Sequence, residues 1–413
     1  MMNQLSVESS ASCLNESTSA AVLTFVVSDN MLGELAQIDP APAIQSQRFG
    51  LRLIDIMAKV FPNVFAVSFL PIQDYPIGKK IFFRRFKFSY RGTFCLGLPF
   101  INIVILKHVS RFLVLLLNIR RLLAAHFVLV HGLHLPYIAF AVLLKYFGVR
   151  IGIALTDQQG VVLPTDGRLR AQLKNVDRWI AVKLANQFDF SIALSEALRE
   201  TYASHSPSIV VPGVFDDELA LRVQAVEPFP STKFRVLYFG GLHADYGIRD
   251  LIEATSLLDE NIEIRLFGAG PMVHEIGNTT LRNRNLYWGG LVDQTILVEE
   301  MANCDLLINP RPSNSTMAAY SSPSKLIEYA ASGKAVLTTR LPSLPDTIAD
   351  AALLIEQENA EGIAYAIRQA ANMAPLALAS VGKTYQKAVH DICSVDAIAG
   401  KLGEIVLKRV NVP

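Results

Sequence analysis

Acidic residues are missing from one long interval. Between Asp74 and Asp157 there is no Asp or Glu, while the same stretch carries Lys79, Lys80, Arg84, Arg85, Lys87, Arg91, Lys107, Arg111, Arg120, Arg121, Lys145 and Arg150. The net charge of +1 for the whole chain hides this block, which points to an anionic partner. Cysteine is scarce: Cys13, Cys95, Cys304 and Cys393 are widely scattered, without metal-ligand spacing, which suits a reducing compartment and makes the cytoplasm the expected location. The opening MMNQLSVESSASCLNESTSA has no Lys or Arg and no apolar run, so it does not read as a signal peptide or a mitochondrial presequence. Residues 1–19 are expected to be a disordered tail. No Asp-x-Asp pair and no His/Cys cluster occurs, so the common metal-site patterns are lacking. The basic region also lacks a spanning segment. Its longest stretch free of Lys and Arg, Leu122 to Leu144, contains His126, His131, Gly132, His134 and Pro136, whereas a membrane-crossing helix needs ~20 mostly apolar residues.

What is present is apolar and long. A chain of 413 residues, 51% hydrophobic and 18% charged, exceeds one ordinary core and fits two domains of about 200 residues. The second half alternates strand candidates (FRVLYFG, IEIRLFG, NLYWGG, DLLINP, AVLTT and ALLIE) with mostly helical segments, the pattern of a parallel doubly wound α/β domain. The first half carries the same pattern less plainly. Ala21 to Ser28 is a β-branched run, a polar loop with proline follows to Ser46, and SQRFGLRLIDIMAKVF places Phe49, Leu53, Ile56 and Val60 at helical spacing. FVLVHGLHLPYIAF reads as strand, turn and helix, and RIGIALTDQQG as a strand opening onto Asp157. Pro212 and Gly213 suit a hinge. The expected division is 20–215, 216–385 and a returning C-terminal helix over 386–413.

GKKIFFRRFKFSYR, residues 78–91, interleaves Lys79, Lys80, Arg84, Arg85 and Lys87 with Phe82 and Phe83. Three readings stand side by side: contact with an anionic membrane surface, a half-buried edge strand with solvated charges, and a single-strand nucleic-acid groove. In KHVSRFLVLLLNIRRLLAAHF, Lys107, Arg111, Asn118 and Arg121 fall near one face of a helix whose other face is Leu, Val and Ile. Such a helix lies on a bilayer or covers a sheet.

The stretch Ser321 to Thr339 concentrates the chemistry. Ser322 suits an N-cap and Pro323 the first helical position, so a helix is expected to run to Ser332, with Gly333 as a left-handed stop and a buried strand beyond. A helix start with Ser322, Ser324 and Lys325 can hold a phosphate without a metal, and Glu328 lies within reach of a ribose. Gly240 and Gly241 directly follow a strand, where missing side chains admit a diphosphate, and Gly268 makes a second such turn. Arg249 and Arg311 are further candidate phosphate cations. His131, His134, Thr156 and Asp157 end strands of the first half, where open α/β sheets bind ligands.

Ser-Pro-Ser-Lys-Leu-Ile-Glu-Tyr-Ala-Ala-Ser-Gly-Lys-Ala-Val resembles the donor-binding motif of retaining GT-B glycosyltransferases of the glycosyltransferase family 4 type, the bacterial surface-polysaccharide transferases. The resemblance is clear from Phe234 to Ala370 and weaker from Ala21 to Asp216. It implies two Rossmann-like domains facing a central cleft, a nucleotide-diphosphate sugar as donor and a lipid-linked or glycan acceptor. Transfer would retain anomeric configuration, with no metal or other cofactor and no nucleic-acid partner. Lys325, Glu328, Asp157 and His131 are then the expected catalytic residues. The base would be held by backbone near Leu291, and the acceptor by Arg48, His134 and Thr156. The chain departs from the family's pattern in three places, the first being the loop after the first strand, which lacks the expected glycine pair. Tyr320 stands where the first of two glutamates is usual, and Tyr246 where a lysine precedes the second glycine. The expected setting is the inner face of the plasma membrane, peripherally attached. A sugar-nucleotide epimerase or phosphorylase, and a non-catalytic membrane-associated partner of another transferase, are the alternatives.

Overall fold

The computed structural model describes residues 18–40, 43–160, 167–322 and 324–408. Its contacts divide the chain into two units, Met1–Val210 joined by Val395–Pro413, and Val211–Ser394. The division thus falls at Val210 rather than at residue 215, and the return to the first unit at Val395 rather than at 386. The expected tail lies outside the described residues up to 17; Ser19 already belongs to the first strand.

In chain order the first unit runs β1 (Ser19–Thr24), α1 (Asp29–Ile38), α2 (Ile44–Val60), β2 (Asn63–Ser68), β3 (Phe82–Phe83), β4 (Phe86–Tyr90), β5 (Thr93–Gly97) and β6 (Phe100–Ile101). It continues with α3 (Val104–Leu117), α4 (Ile119–Leu123), β7 (Phe127–His131), α5 (Leu135–Tyr146), β8 (Arg150–Leu155), α6 (Arg168–Ala185), β9 (Phe190–Ala193), α7 (Glu196–Tyr202) and β10 (Ser208–Val210). Among the described residues its main sheet has the order β10-β9-β8-β7-β1-β2-β5-β4, parallel throughout except for the β4–β5 hairpin. β1 and β7 are buried on both faces, which is why their sequences are continuous apolar runs with no alternation. β3 and β6 form a separate antiparallel pair, with Phe82 opposite Ile101 and Phe83 opposite Phe100.

Two local expectations need correction here. The loop expected from Asp29 to Ser46 contains α1, whose single buried residue, Leu35, leaves almost no apolar period to read. The basic-apolar helix is split at Asn118 into α3 and α4. α2 forms as expected, and Gly50 in its middle has a packing reason: a Cβ there would stand 2.4 Å from Thr24 Oγ1.

The second unit runs α8 (Asp217–Gln224), β11 (Phe234–Phe239), α9 (Ile248–Ala254), β12 (Ile262–Phe267), α10 (Val273–Thr280), β13 (Leu286–Gly290), α11 (Gln294–Asn303) and β14 (Leu306–Asn309). Then follow α12 (Thr316–Tyr320), α13 (Ser324–Ala330), β15 (Ala335–Thr338), α14 (Asp346–Ala349), β16 (Leu353–Leu354), α15 (Ala360–Ala371) and α16 (Pro375–Cys393). Its strands are parallel in the order β13-β12-β11-β14-β15-β16. Alternate residues of β11 face opposite sides: Leu237 and Phe239 enter one apolar core, Val236 and Tyr238 the other. Two cores on one sheet require helices on both faces, the arrangement of a doubly wound domain. α17 (Val395–Lys408) closes the chain within the first unit, where the Val406 carbonyl accepts from Arg150 Nη1 at 3.0 Å.

Candidate functional site

In the second unit the glycine turns expected to admit a diphosphate meet at the ends of adjacent strands. The Gly240 N–H donates to the Phe267 carbonyl at 2.8 Å and the Gly268 N–H to the Gly290 carbonyl at 2.7 Å, so the three strand ends are tied to one another. Gly240 (φ +138°) and Gly268 (φ +133°) hold backbone that side-chain-bearing residues rarely adopt. A Cβ on Gly268 would stand 1.9 Å from the Gly240 carbonyl oxygen, and one on Gly240 would stand 1.6 Å from Lys325 Cε. The missing side chain at Gly240 is therefore the space through which Lys325 runs.

Lys325 is seated by the helix that carries it. α13 ends at Ala330, two residues short of the expected Ser332, because the last residues tighten into a turn that closes with the Gly333 N–H on the Ala330 carbonyl; Gly333 has φ +67°. Pro323 lies outside the described residues. Tyr329, fully buried, accepts from the Phe239 N–H through its hydroxyl at 3.4 Å, and Tyr385 donates to the Leu326 carbonyl at 3.1 Å. The first bond ties the helix to the end of β11, one residue before Gly240, and the second ties it to α16. The Lys325 ammonium lies 5.4 Å from the Tyr238 ring centre and 5.0 Å from that of Tyr246. Burial lowers its pKa to about 8, an effect that Glu328 opposes and Arg311 reinforces.

Arg311 completes the group. It is only 5% exposed, follows Pro310 directly after β14, and lies 5.4 Å above the ring of Tyr246. One nitrogen, Nη1, donates to the Ser321 carbonyl at 3.3 Å. Among the described residues, Nε and Nη2 have no hydrogen-bond partner, and neither does the buried hydroxyl oxygen of Ser322. Arg111, Arg150 and Arg235 also bury one unpaired nitrogen each, but among the described residues only here do two unpaired guanidinium nitrogens and an unpaired hydroxyl come from one short segment, a set that can accept an anion. Gly247 brings Tyr246 against this segment, since a Cβ there would meet the Pro310 carbonyl oxygen at 2.0 Å. Tyr246, at the family's lysine position, therefore sits between both cations.

The other donor-side candidates are placed less closely. Arg249 is exposed and faces Glu275 at 3.8 Å. Leu291 is 81% exposed just beyond β13, and Ser324 is exposed at the start of α13. Tyr320 ends α12, half-buried. Tyr238 is a residue that sequence reasoning missed; alternation along β11 turns it inward, and nothing in the local sequence marks it as a neighbour of Lys325.

In the first unit, His131 ends β7 and is buried, with Nδ1 at 3.0 Å from Thr24 Oγ1; burial lowers its pKa to about 4. Packed against Thr24, Phe25 and Phe49, it supports the β1 end, and its expected catalytic part stays a proposal. Arg111 Nη1 donates to His134 Nε2 at 3.0 Å, which keeps His134 neutral, with burial and that same cation holding its pKa far down. Asp157, just past β8, is exposed at its surface, yet crowding by the surrounding chain raises its carboxyl pKa while a Thr156 hydrogen bond works the other way. Thr156 is half-buried and Arg48 exposed. Gln47, buried beside Arg48, instead clamps Val27, accepting from its N–H at 2.9 Å and donating to its carbonyl at 2.8 Å.

Phe83, expected at a membrane, is buried and stacks on Phe100 with ring centres 4.9 Å apart, whereas Phe82, Lys79, Lys80, Arg84, Arg85 and Lys87 are exposed. Among the described residues no three His, Cys, Asp or Glu side chains are grouped to hold a metal, and no helix is long and apolar enough to cross a membrane.

Residues 233–373 match the family model described as "Glycosyl transferases group 1". No curated protein matches the sequence. Among solved structures the chain is similar to a sucrose-phosphate synthase from Thermosynechococcus elongatus (TM-score 0.67, 16% identity, covering 95% of this chain and 99% of that one). It is also similar to the trehalose-6-phosphate synthase OtsA (0.66, 12%, 96% and 100%) and to Anabaena HepE in complex with UDP (0.61, 16%, 95% and 100%). At these identities the likeness is one of fold, and the fold is that of GT-B enzymes with two Rossmann-like units. The second unit carries a group 1 glycosyltransferase domain, and the chain is a glycosyltransferase of GT-B type.

Proposed function

We propose that this enzyme moves a hexose from a nucleotide-diphosphate sugar to a hydroxyl of a lipid-linked or polysaccharide-precursor acceptor, with retention, in surface polysaccharide synthesis at the inner face of the plasma membrane. One observation carries the donor half: two partly or fully buried cations, Lys325 beside the Gly240 turn and Arg311, converge on the Tyr246 ring with guanidinium donors and the Ser322 hydroxyl unpaired. A diphosphate supplies the acceptor oxygens this set lacks. As the bond from the anomeric carbon to the diphosphate oxygen breaks, charge builds on the leaving group, and preorganised cations in a low-dielectric site stabilise it there. The acceptor oxygen bonds to the same carbon, and its proton leaves to a base. Asp157 is assigned the orienting of that hydroxyl, since a carboxyl of raised pKa beyond a strand end suits it. Glu328 is assigned to the donor's hydroxyls. No metal is required in this reading, because the two cations meet the diphosphate charge.

A second reading has specific support. Neighbours named as sucrose-phosphate and trehalose-phosphate synthases favour a phosphorylated hexose as acceptor. Calorimetry with a panel of nucleotide sugars, UDP-sugars first because HepE is seen with UDP, tests the donor half. Binding to none of them would leave the non-catalytic reading in place. Product analysis with lipid-linked, glycan and phosphohexose acceptors then separates the acceptors, and sugar-nucleotide conversion without any acceptor would mark an epimerase.

A further inference from the structure

α3 is packed inside out. Its buried positions are Lys107, Arg111 and Leu115, four residues apart, while Ile105, Val109, Leu113 and Leu117, also four apart, are 75%, 48%, 52% and 85% exposed. The inward cations are held by the surrounding chain, with only Arg111 Nε lacking a partner among the described residues. The Lys107 ammonium donates to the Ile72 carbonyl at 2.6 Å and to Asp74 at 2.7 Å. Arg111 donates to the Leu70 carbonyl at 2.9 Å and lies 4.2 Å from the Phe100 ring centre. A helix that merely covers a sheet turns its apolar stripe inward. Here that stripe faces out over the helix's whole length, which marks an interaction surface.

The charges beside it say what kind. The β3–β6 ladder sets exposed Phe82 opposite Ile101, three residues before α3 begins, and Arg85 Nη2 donates to Asn118 Oδ1 at 3.2 Å where α3 ends. The basic segment therefore runs alongside the helix from one end to the other. Lys79, Lys80, Arg84 and Lys87 are exposed on it, with no Asp or Glu anywhere between Asp74 and Asp157. Asp74, held by Lys107, and Asp177, near His108, are acids close to the helix; an apolar stripe with this excess of cations beside it is complementary to an anionic bilayer, since each cation near such a surface contributes about 1 kcal/mol. With 14 residues α3 is too short to span, so it would lie in the plane of the interface.

We propose that the outward face of α3 inserts into the headgroup boundary of an anionic membrane, with the 79–87 cations on the lipid phosphates. This deepens the membrane-side reading above and rests on it, but not on the donor site. The test is co-sedimentation of the full chain with phosphatidylcholine vesicles, with and without about one third phosphatidylglycerol. Wild type should bind the anionic vesicles and bind the neutral ones much more weakly. Ile105→Gln with Leu113→Gln and Leu117→Gln should lower partition at least about tenfold, while the circular dichroism spectrum and the melting temperature stay unchanged as proof of folding. Arg84→Glu with Arg85→Glu and Lys87→Glu should abolish the preference for anionic lipid. Leu113→Trp should gain fluorescence quenching by brominated acyl chains. If the glutamine variant binds vesicles as wild type does and Leu113→Trp is not quenched, the α3 proposal fails, even where the charge-reversal variant shows that the basic segment itself touches lipid. If wild type ignores every vesicle yet self-associates in a way the glutamine variant abolishes, the face belongs to a second copy of the chain and the proposal is overturned.

Discussion

At the scale of single residues, this enzyme's reading depends on cations placed where water is scarce. Lys325→Ala should weaken nucleotide binding and lower kcat by about 10²- to 10³-fold, the usual loss when one preorganised charge donor is removed; Arg311→Ala should do likewise, and steady-state kinetics with calorimetry check both. The lowered Lys325 pKa gives a sign. The ammonium that meets the diphosphate is present below about pH 8 and is lost above it, so kcat/KM for the donor should fall on the alkaline side from that pH. Lys325→Arg should move that limb upward if the variant retains turnover. His131 predicts stability instead. Its folded pKa of about 4 lies below the unfolded value, so the unfolded state binds the extra proton and stability falls as the pH drops from about 6.5 towards 4. For a residue so deeply buried the loss is about 3 kcal/mol, and His131→Asn should flatten it in denaturant titrations across that range.

At the scale of elements, the glycine turns discriminate fold from site. A Cβ on Gly240 meets the flexible end of Lys325, whereas a Cβ on Gly268 meets backbone. Gly240→Ala should therefore cost the strain of its positive φ, about 1–3 kcal/mol, together with most nucleotide affinity, because the ammonium must move aside. Gly268→Ala should lower Tm further, and comparing the two melts checks the order. The same elements mark what could be read in advance. The helix around Lys325 and the strand before Gly240 were legible because cap, stop and β-branched run are local signals. That Arg311 reaches the same point was not, because its position follows from the order β11-β14-β15 and from Gly247 packing on Pro310. The face of α3 was legible as a stripe but not in its direction, since periodicity gives two sides without saying which one meets the protein.

At the scale of the whole molecule, the groups proposed to hold the donor, Gly240, Arg311, Ser322 and Lys325, all lie within Val211–Ser394. Saturating nucleotide at 100 times its Kd should stabilise that unit by about 2.7 kcal/mol, and hydrogen exchange should slow there, at β11 and α13, with little change in β7 or β8. Chelator in the assay should leave turnover unchanged; loss restored by a divalent ion would show that the cations do not suffice.

By itself the sequence determined that there are two α/β units, where the glycine turns after their strands lie, and that one region carries bases without acids. These are properties of neighbouring residues: turn chemistry, periodicity and local charge. The tertiary structure alone decided that His131 is packed away, that Tyr238 and Tyr246 flank Lys325, and that α3 shows its apolar side to the outside. Each of these depends on which distant segment occupies the other side of a residue, and that is settled only when the whole core packs at once.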